Sequence, residues 1–219
     1  SAMLQSFEGN NLQGENLRNQ MDAGEVMKKQ MWKQIVEAKI RNQAALLDKV
    51  GQDGNILKQY YQNVKSGDTD NKEGIAARRY FTELFGESFL RDRTLPGINV
   101  LLNYGYTILR AATARALVSS GLLPAIGIFH HNRSNAFPLA DDMMEPYRPY
   151  VDEIVYDLAM QGKLELTKDV KAELIQVLYA DTLFSKVTRP LSVGLTLTSS
   201  SLSKCFAKEQ SKLSLPILR

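Results

Sequence analysis

The sequence predicts an all-α fold. Apolar residues recur at helical spacing through several long segments, and the alternating pattern of β-strands is nearly absent. Glycines and potential capping residues bound these segments, as at helix ends. We therefore expect a helical domain over residues 22–219, preceded by an extended, irregular entry segment at residues 1–21.

The longest predicted helix starts at Asp22. This residue can cap the helix, Glu25 follows three positions later, and Gly51 comes after the last apolar residue. Further helices are expected at 55–65, 70–86, 97–121, across the carboxylate segment to 162, at 167–181 with Thr167 as its cap, and at 201–210.

Composition narrows the functional classes only slightly. The chain has 27 Lys and Arg residues against 24 Asp and Glu, and this net charge of +3 neither demands nor excludes a nucleic-acid partner. The single cysteine, Cys205, excludes an internal disulfide and a cysteine-based metal site. No apolar run has the length of a membrane span, and the start lacks a signal-peptide pattern. The expectation is a cytoplasmic bacterial protein with no membrane partner.

Both histidines lie in the segment "GIFHHNRSNAFPLADDMMEP". Asp142 and Glu145 lie three apart, so on a helix they share one face. Carboxylates suit Mg²⁺ and Mn²⁺, and Mn²⁺ also accepts an imidazole. We expect only one of His130 and His131 to reach the ion, because adjacent side chains diverge. The alternative is that these acids only complement a helix dipole, which is the commoner role of such patterns.

Glu73 also has two interpretations. In "DNKE" it fits a capping box in which Asp70 is the cap, and its carboxylate is also a possible metal ligand. No Gly-x-Ser-x-Gly turn and no phosphate-binding glycine loop occur in the sequence. The sequence therefore favours metal-assisted chemistry or binding alone.

Two stretches carry a resemblance to a known family. "NKEGIAARRYFTELFG" and "NYGYTILRAATARALVSSGLLPAIGIFHHNRSNAFPLADDMMEPYRPYVDEIV" closely resemble the CRISPR-associated spacer-acquisition integrase. The "MEPYRP" ending is similar to the type II form, which has glutamate in place of aspartate. The resemblance covers most of residues 22–160.

The resemblance implies a three-ligand site for Mg²⁺ or Mn²⁺ made by Glu73, His130 and Glu145. Asp142 matches a supporting acidic position in the catalytic site, whereas the family pattern does not require His131. Family members begin with a β-rich domain that pairs two copies. Here the chain opens at "SAMLQSFEG", similar to the family's interdomain segment. We therefore expect the catalytic part of a longer, homodimeric protein.

The implied function is insertion of captured DNA into a CRISPR array, in which a DNA 3′-hydroxyl attacks a phosphodiester. The implied partners are double-stranded DNA, as prespacer and repeat, and a small second CRISPR-associated adaptation protein. Two alternatives remain: a non-catalytic helical DNA-binding subunit, and an unrelated metal-dependent phosphohydrolase with a narrow, enclosed pocket. Seven basic residues near the site helices are candidates for DNA phosphate contacts. They are Lys28, Lys33, Arg41, Lys72, Arg78, Arg110 and Arg115.

Overall fold

The computed structural model describes residues 12–219. Within these residues nine α-helices are joined by short loops and 3₁₀ turns, and one two-stranded hairpin is present, which confirms the all-α prediction. The helices are α1 (Gln13–Met21), α2 (Glu25–Lys49), α3 (Lys58–Gln62), α4 (Lys72–Phe85), α5 (Ile98–Ser119), α6 (Pro138–Met144), α7 (Arg148–Met160), α8 (Lys168–Ile175) and α9 (Leu191–Phe206). The strands are β1 (Asp181–Phe184) and β2 (Val187–Pro190), which pair antiparallel.

Helices α2 and α5 form the centre of the core. Helix α4 packs on α2, while α6, α7 and α9 pack on α5. Gly105 lets α7 approach α5 closely, because a Cβ at this position would lie 2.4 Å from Val151 Cγ1. No helix in residues 12–219 is both long and apolar enough to cross a membrane. The central helices thus hold the site-bearing segments in fixed positions.

The prediction of an irregular segment before residue 22 is wrong for residues 13–21, which form α1, while residues 1–11 lie outside the described part of the chain. Asp22 ends α1 and cannot cap α2, which begins after Gly24 without a side-chain cap. The buried side chain of Gln20 stabilises α1 by bonding the backbone of Leu123 and Ile126. Because these partners lie more than 100 residues away in sequence, no local sequence pattern predicts α1.

The carboxylate segment is not one continuous helix. Helix α6 ends at Met144, a 3₁₀ turn spans Glu145–Tyr147, and α7 follows. Pro146 and Pro149 cause this break, since proline has no N–H to donate to the preceding turn. The turn places Glu145 at a bend between two helices.

The C-terminal part differs most from prediction. Helix α9 begins at Leu191, ten residues before the predicted start, and contains the serine-rich stretch. The hairpin was not predicted, and its residue Leu183 pairs with Ile217 near the C-terminus. The Thr167 cap is confirmed, because its hydroxyl accepts the Val170 N–H at 3.3 Å.

Candidate active site

The start of α4 is capped by Asp68 and Asn71, and not by the predicted cap Asp70. The Asp68 carboxylate accepts the N–H groups of Lys72 and Glu73, at 2.8 and 2.9 Å. The Asn71 side chain accepts the N–H of Gly74 at 3.2 Å. These contacts satisfy donors of the first turn that a capping box would otherwise serve.

The capping-box interpretation of Glu73 is therefore wrong. Asp70 pairs with Lys65 at 2.7 Å and does not cap the helix. The carboxylate of Glu73 instead contacts the ammonium of Lys39, which comes from α2. Its carboxylate is thus committed to a tertiary contact.

Lys39 joins two of the three predicted ligands. Its ammonium contacts Glu73 Oε1 and lies 2.6 Å from Glu145 Oε2. The side chains of Lys39 and Glu145 are only 7% and 5% exposed. Glu73 and Glu145 therefore converge on one buried positive charge.

The charges of this cluster support one another. Burial alone lowers the pKa of Lys39, but the carboxylates of Glu145 and Glu73 outweigh it and raise the pKa. Burial alone raises the pKa of Glu145, but Arg148 and Lys39 hold it below its usual range. Lys39 and Glu145 are consequently both ionised at neutral pH.

The two oxygens of Glu145 have different surroundings. Oε1 lies 2.9 Å from Arg148 Nη2. Oε2 is buried and lies 2.6 Å from the Lys39 ammonium, whose hydrogen bond helps to lower the pKa of Glu145. A carboxylate oxygen in this state suits a hard divalent cation. Two carboxylates with a nearby imidazole are a donor set that fits Mg²⁺ or, better, Mn²⁺.

His130 is held by Asp142. Nδ1 of the ring lies 2.6 Å from Asp142 Oδ1, and the fully buried carboxylate also accepts the backbone N–H groups of Ile128, Phe129 and His130. Since an ionised carboxylate only accepts hydrogen bonds, Nδ1 carries the proton. Nε2 is left as the nitrogen for a ligand.

Electrostatics link His130 to Glu145. The hydrogen bond to Asp142 is the largest cause that raises the pKa of His130, and the charge of Glu145 adds to it. The His130 charge in turn helps to lower the pKa of Glu145. His131 is exposed and does not share the Asp142 contact.

The loop before His130 is closely packed. A Cβ at Gly127 would lie 2.5 Å from the carbonyl oxygen of His130, so the turn requires glycine. Phe129 stacks on Trp32, with ring centroids 4.3 Å apart, and the His130 ring meets Trp32 edge-on. These contacts set the direction of the imidazole.

In residues 12–219, no three His, Cys, Asp or Glu side chains already form a group that could hold a metal ion. Glu73 and Glu145 meet at Lys39, whereas His130 is bonded to Asp142. The structure thus brings the carboxylates together through a lysine that the sequence analysis did not identify.

Two adjoining cavities open beside this cluster. The smaller, about 240 Å³, is lined by Lys39 and Glu73, and the larger, about 560 Å³, reaches His130. The two cavities share four of their lining residues, which are Arg91, Arg93, Tyr106 and Arg148. Guanidinium groups therefore border both the cavity of Glu73 and the cavity of His130.

Arg91, Arg93 and Arg148 were not among the seven basic residues predicted to contact DNA. Of those seven candidates only Arg110 lines these cavities, where it pairs with Asp141 at 2.7 Å. Lys28 and Lys33 pair with glutamates of their own helix, Arg41 lies over Tyr61, and Lys72, Arg78 and Arg115 line neither cavity. The spacing of Glu145 and Arg148 was the one local signal for a missed arginine.

A buried tyrosine pair supports Arg148. Asp152 accepts the hydroxyl hydrogens of Tyr80 at 2.9 Å and Tyr106 at 2.5 Å. The Arg148 guanidinium lies 4.6 Å from the centre of the Tyr106 ring. Burial raises the pKa of Asp152 to about 6, against the lowering effect of both tyrosines. Tyr106 is therefore a packing residue.

Comparison with known proteins agrees with this architecture. The family model described as "CRISPR associated protein Cas1" matches residues 2–191. A CRISPR-associated endonuclease Cas1 from Neisseria meningitidis is 46% identical over 167 residues, which are 74% of this chain and 55% of that protein. A Cas1 endonuclease from Francisella tularensis subsp. novicida is 33% identical over 65% of this chain and 52% of its own length.

Solved structures share the fold. A casposase bound to integration product superposes with a TM-score of 0.77 at 23% identity, over 93% of this chain and 71% of that one. A CAS1 protein from Thermotoga maritima gives a TM-score of 0.71 at 21% identity, over 91% and 70%. The chain spans about half the length of the curated relatives it matches. With a family model that covers most of its length, the chain belongs to the CRISPR associated protein Cas1 family.

Proposed function

We propose that this chain carries the active site of a CRISPR integrase and endonuclease, which inserts captured DNA as spacers into a CRISPR array. The relative that is 46% identical is named a CRISPR-associated endonuclease, which supports this class of activity. The observation that carries the proposal is the convergence of Glu73 and Glu145 on one buried charge, Lys39, with His130 electrostatically coupled to Glu145.

The proposed cofactor is Mg²⁺ or Mn²⁺, held by Glu73, His130 and Glu145. When bound, a divalent ion offsets the negative charge that develops at phosphorus and orients the attacking hydroxyl. Asp142 keeps the proton of His130 on Nδ1, so that Nε2 faces the ligand. Arg148 holds one oxygen of Glu145, and the other, which Lys39 contacts, would bind the ion.

The proposed substrate is double-stranded DNA, as prespacer and CRISPR repeat. In the reaction a 3′-hydroxyl oxygen forms a bond to phosphorus while an existing phosphorus–oxygen bond breaks. Arg91 and Arg93 border both cavities and can neutralise phosphates of the substrate. Asn99 and Asn103 fix the guanidinium of Arg91, at 2.9 and 2.8 Å.

The proposed partners are a second copy of the full-length protein and a small second CRISPR-associated adaptation protein. Both partners are inferred from family membership. The chain spans only about half the length of its curated relatives, so the surfaces that would bind these partners can lie in the other half. Arginine side chains border both cavities, and such a series of cations suits a polymer with many phosphates better than a single small-molecule phosphate.

The test is a joining assay with the 219-residue chain, Mn²⁺, a short duplex with free 3′-hydroxyls and a supercoiled plasmid. We expect Mn²⁺-dependent nicking and joining, and their loss in Glu145→Gln. The matched control is Glu153→Gln, which removes a partly exposed carboxylate of α7 that pairs with Lys49. Equal activity in both variants contradicts the proposal.

A further inference from the structure

We propose that Lys39 is a built-in cation that competes with a divalent ion for Glu73 and Glu145, and that Gln43 receives its ammonium when the ion enters. This inference rests on the metal site of the proposed function. It adds Lys39 to that site and gives the Lys39 ammonium a second position beside Gln43.

The first support is where the ammonium lies. Lys39 reaches both glutamates from α2, and its side chain is 7% exposed. A divalent ion ligated by both carboxylates has to take the space between them. An ammonium left at that point would repel the ion strongly in a poorly solvated site, so binding requires it to move.

The second support is an unused acceptor beside Lys39. Gln43 follows Lys39 by one helical turn, which places both on the same side of α2. Gln43 is 2% exposed, and its buried Oε1 has no hydrogen-bond partner. Both residues line the smaller cavity of about 240 Å³. A buried acceptor without a donor is costly, and a displaced ammonium would remove that cost.

The arrangement therefore gives Lys39 two positions. On the carboxylates, it keeps the buried charge of Glu145 and the partly buried charge of Glu73 together without a metal. At Gln43, it leaves both carboxylates to the ion and stays within the cavity that adjoins the proposed DNA path. The net free energy of metal binding is then the free energy gained when the carboxylates bind the ion, less the free energy lost when both ion pairs with Lys39 break.

The test uses Lys39→Met, a neutral side chain of similar length, in the 219-residue chain. Mn²⁺ binding is measured by electron paramagnetic resonance of the free ion, and melting temperature is recorded with and without Mn²⁺. We expect Lys39→Met to bind Mn²⁺ on the order of tenfold more tightly, because the competing charge is gone. Its melting temperature without Mn²⁺ falls, and Mn²⁺ raises it by more than in the parent protein.

The matched control is Lys49→Met. Lys49 lies on the same helix and pairs with Glu153 at 2.6 Å, but it is about half exposed. It should leave Mn²⁺ binding unchanged. Lys39→Gln is a second neutral variant in case Lys39→Met does not fold, and Lys39→Arg, which keeps the charge, should not bind the ion more tightly than the parent.

The position at Gln43 is tested separately. Gln43→Leu should weaken Mn²⁺ binding in the parent protein, yet have little effect in the Lys39→Met background. Unchanged or weaker Mn²⁺ binding in both neutral Lys39 variants overturns the inference while the proposed function stands. Absence of Mn²⁺ binding in the parent and in every variant overturns the proposed metal site as well.

Discussion

Asp142 holds His130 through both its ring and its backbone. Oδ1 lies 2.6 Å from Nδ1 of the imidazole and 3.2 Å from the backbone nitrogen of the same residue. One buried carboxylate thereby fixes the position, the tautomer and the charge of the histidine. The supporting role that the resemblance implied for Asp142 has a physical basis in these contacts.

Asp142→Asn should lower the pKa of His130, since the largest cause of its elevation is the Asp142 hydrogen bond. Because the pKa of His130 is raised in the folded state, its protonation stabilises the fold fully at pH values below the ordinary histidine pKa of 6.5. This stabilisation is lost as the pH rises through the folded-state pKa. The stability difference between parent and variant should therefore shrink over that interval. Imidazole resonances followed by NMR across pH report the shift, and an unchanged His130 titration contradicts it.

Glu73→Gln should separate stability from activity. Asp68 and Asn71 still cap α4, so the free energy of unfolding should fall by only about 1 kcal/mol, from the lost contact with Lys39. Mn²⁺ affinity and DNA joining should fall together by about tenfold or more. Glu83→Gln, a carboxylate of the same helix paired with Arg79, is the control and should retain activity. Full activity of Glu73→Gln at low Mn²⁺ would remove Glu73 from the site.

Gly127→Ala should disturb the loop that carries His130. The added Cβ would lie 2.5 Å from the His130 carbonyl oxygen and 3.1 Å from Asp142 Oδ2. The backbone has to shift, at a cost of about 1–3 kcal/mol in unfolding free energy, with reduced joining activity. Gly14→Ala in α1, whose added Cβ would lie 3.8 Å from Arg18 Nη1, should not lower stability. Denaturant unfolding of both variants checks this, and equal stabilities count against the close packing.

Asp152→Asn should change how stability depends on pH. The folded pKa of about 6 exceeds the ordinary value of 3.8, so the native state binds the proton more tightly. The contribution of Asp152 to the stability of the parent protein is greatest below pH 3.8 and declines as the pH rises to about 6. Relative to the parent, Asp152→Asn should gain on the order of 2 kcal/mol between pH 4 and pH 7. Parallel stability curves for the two proteins would show that Asp152 is ionised throughout.

Local pattern predicted much of the fold. Helices α2, α4 and α5 lie close to their predicted positions, because each has an apolar stripe ended by glycine. Helix α9 was underpredicted because Gly194 and several β-branched residues give its first half a low helix propensity. Burial of Leu191 and Leu195 against the core outweighs that propensity.

The site was only partly predictable for a related reason. Glu73, His130 and Glu145 stand in recognisable short motifs, whereas Lys39 is one lysine within a long helix. Its partners lie on α4 and in the turn after α6, so no spacing along the chain marks it. The Asp68 contact to α4 was missed because Asp70 matched the capping pattern equally well in sequence.

Glu73, His130 and Glu145 are proposed to form one metal-dependent site for DNA. Two adjacent histidines offer a matched pair of variants, since His130 bonds Asp142 while His131 is exposed. The measurement is the rate of Mn²⁺-dependent joining of a 3′-hydroxyl duplex to plasmid. We predict that His130→Ala lowers the rate by about 100-fold or more, and that His131→Ala leaves most of it. Equal losses in the two variants would contradict the account.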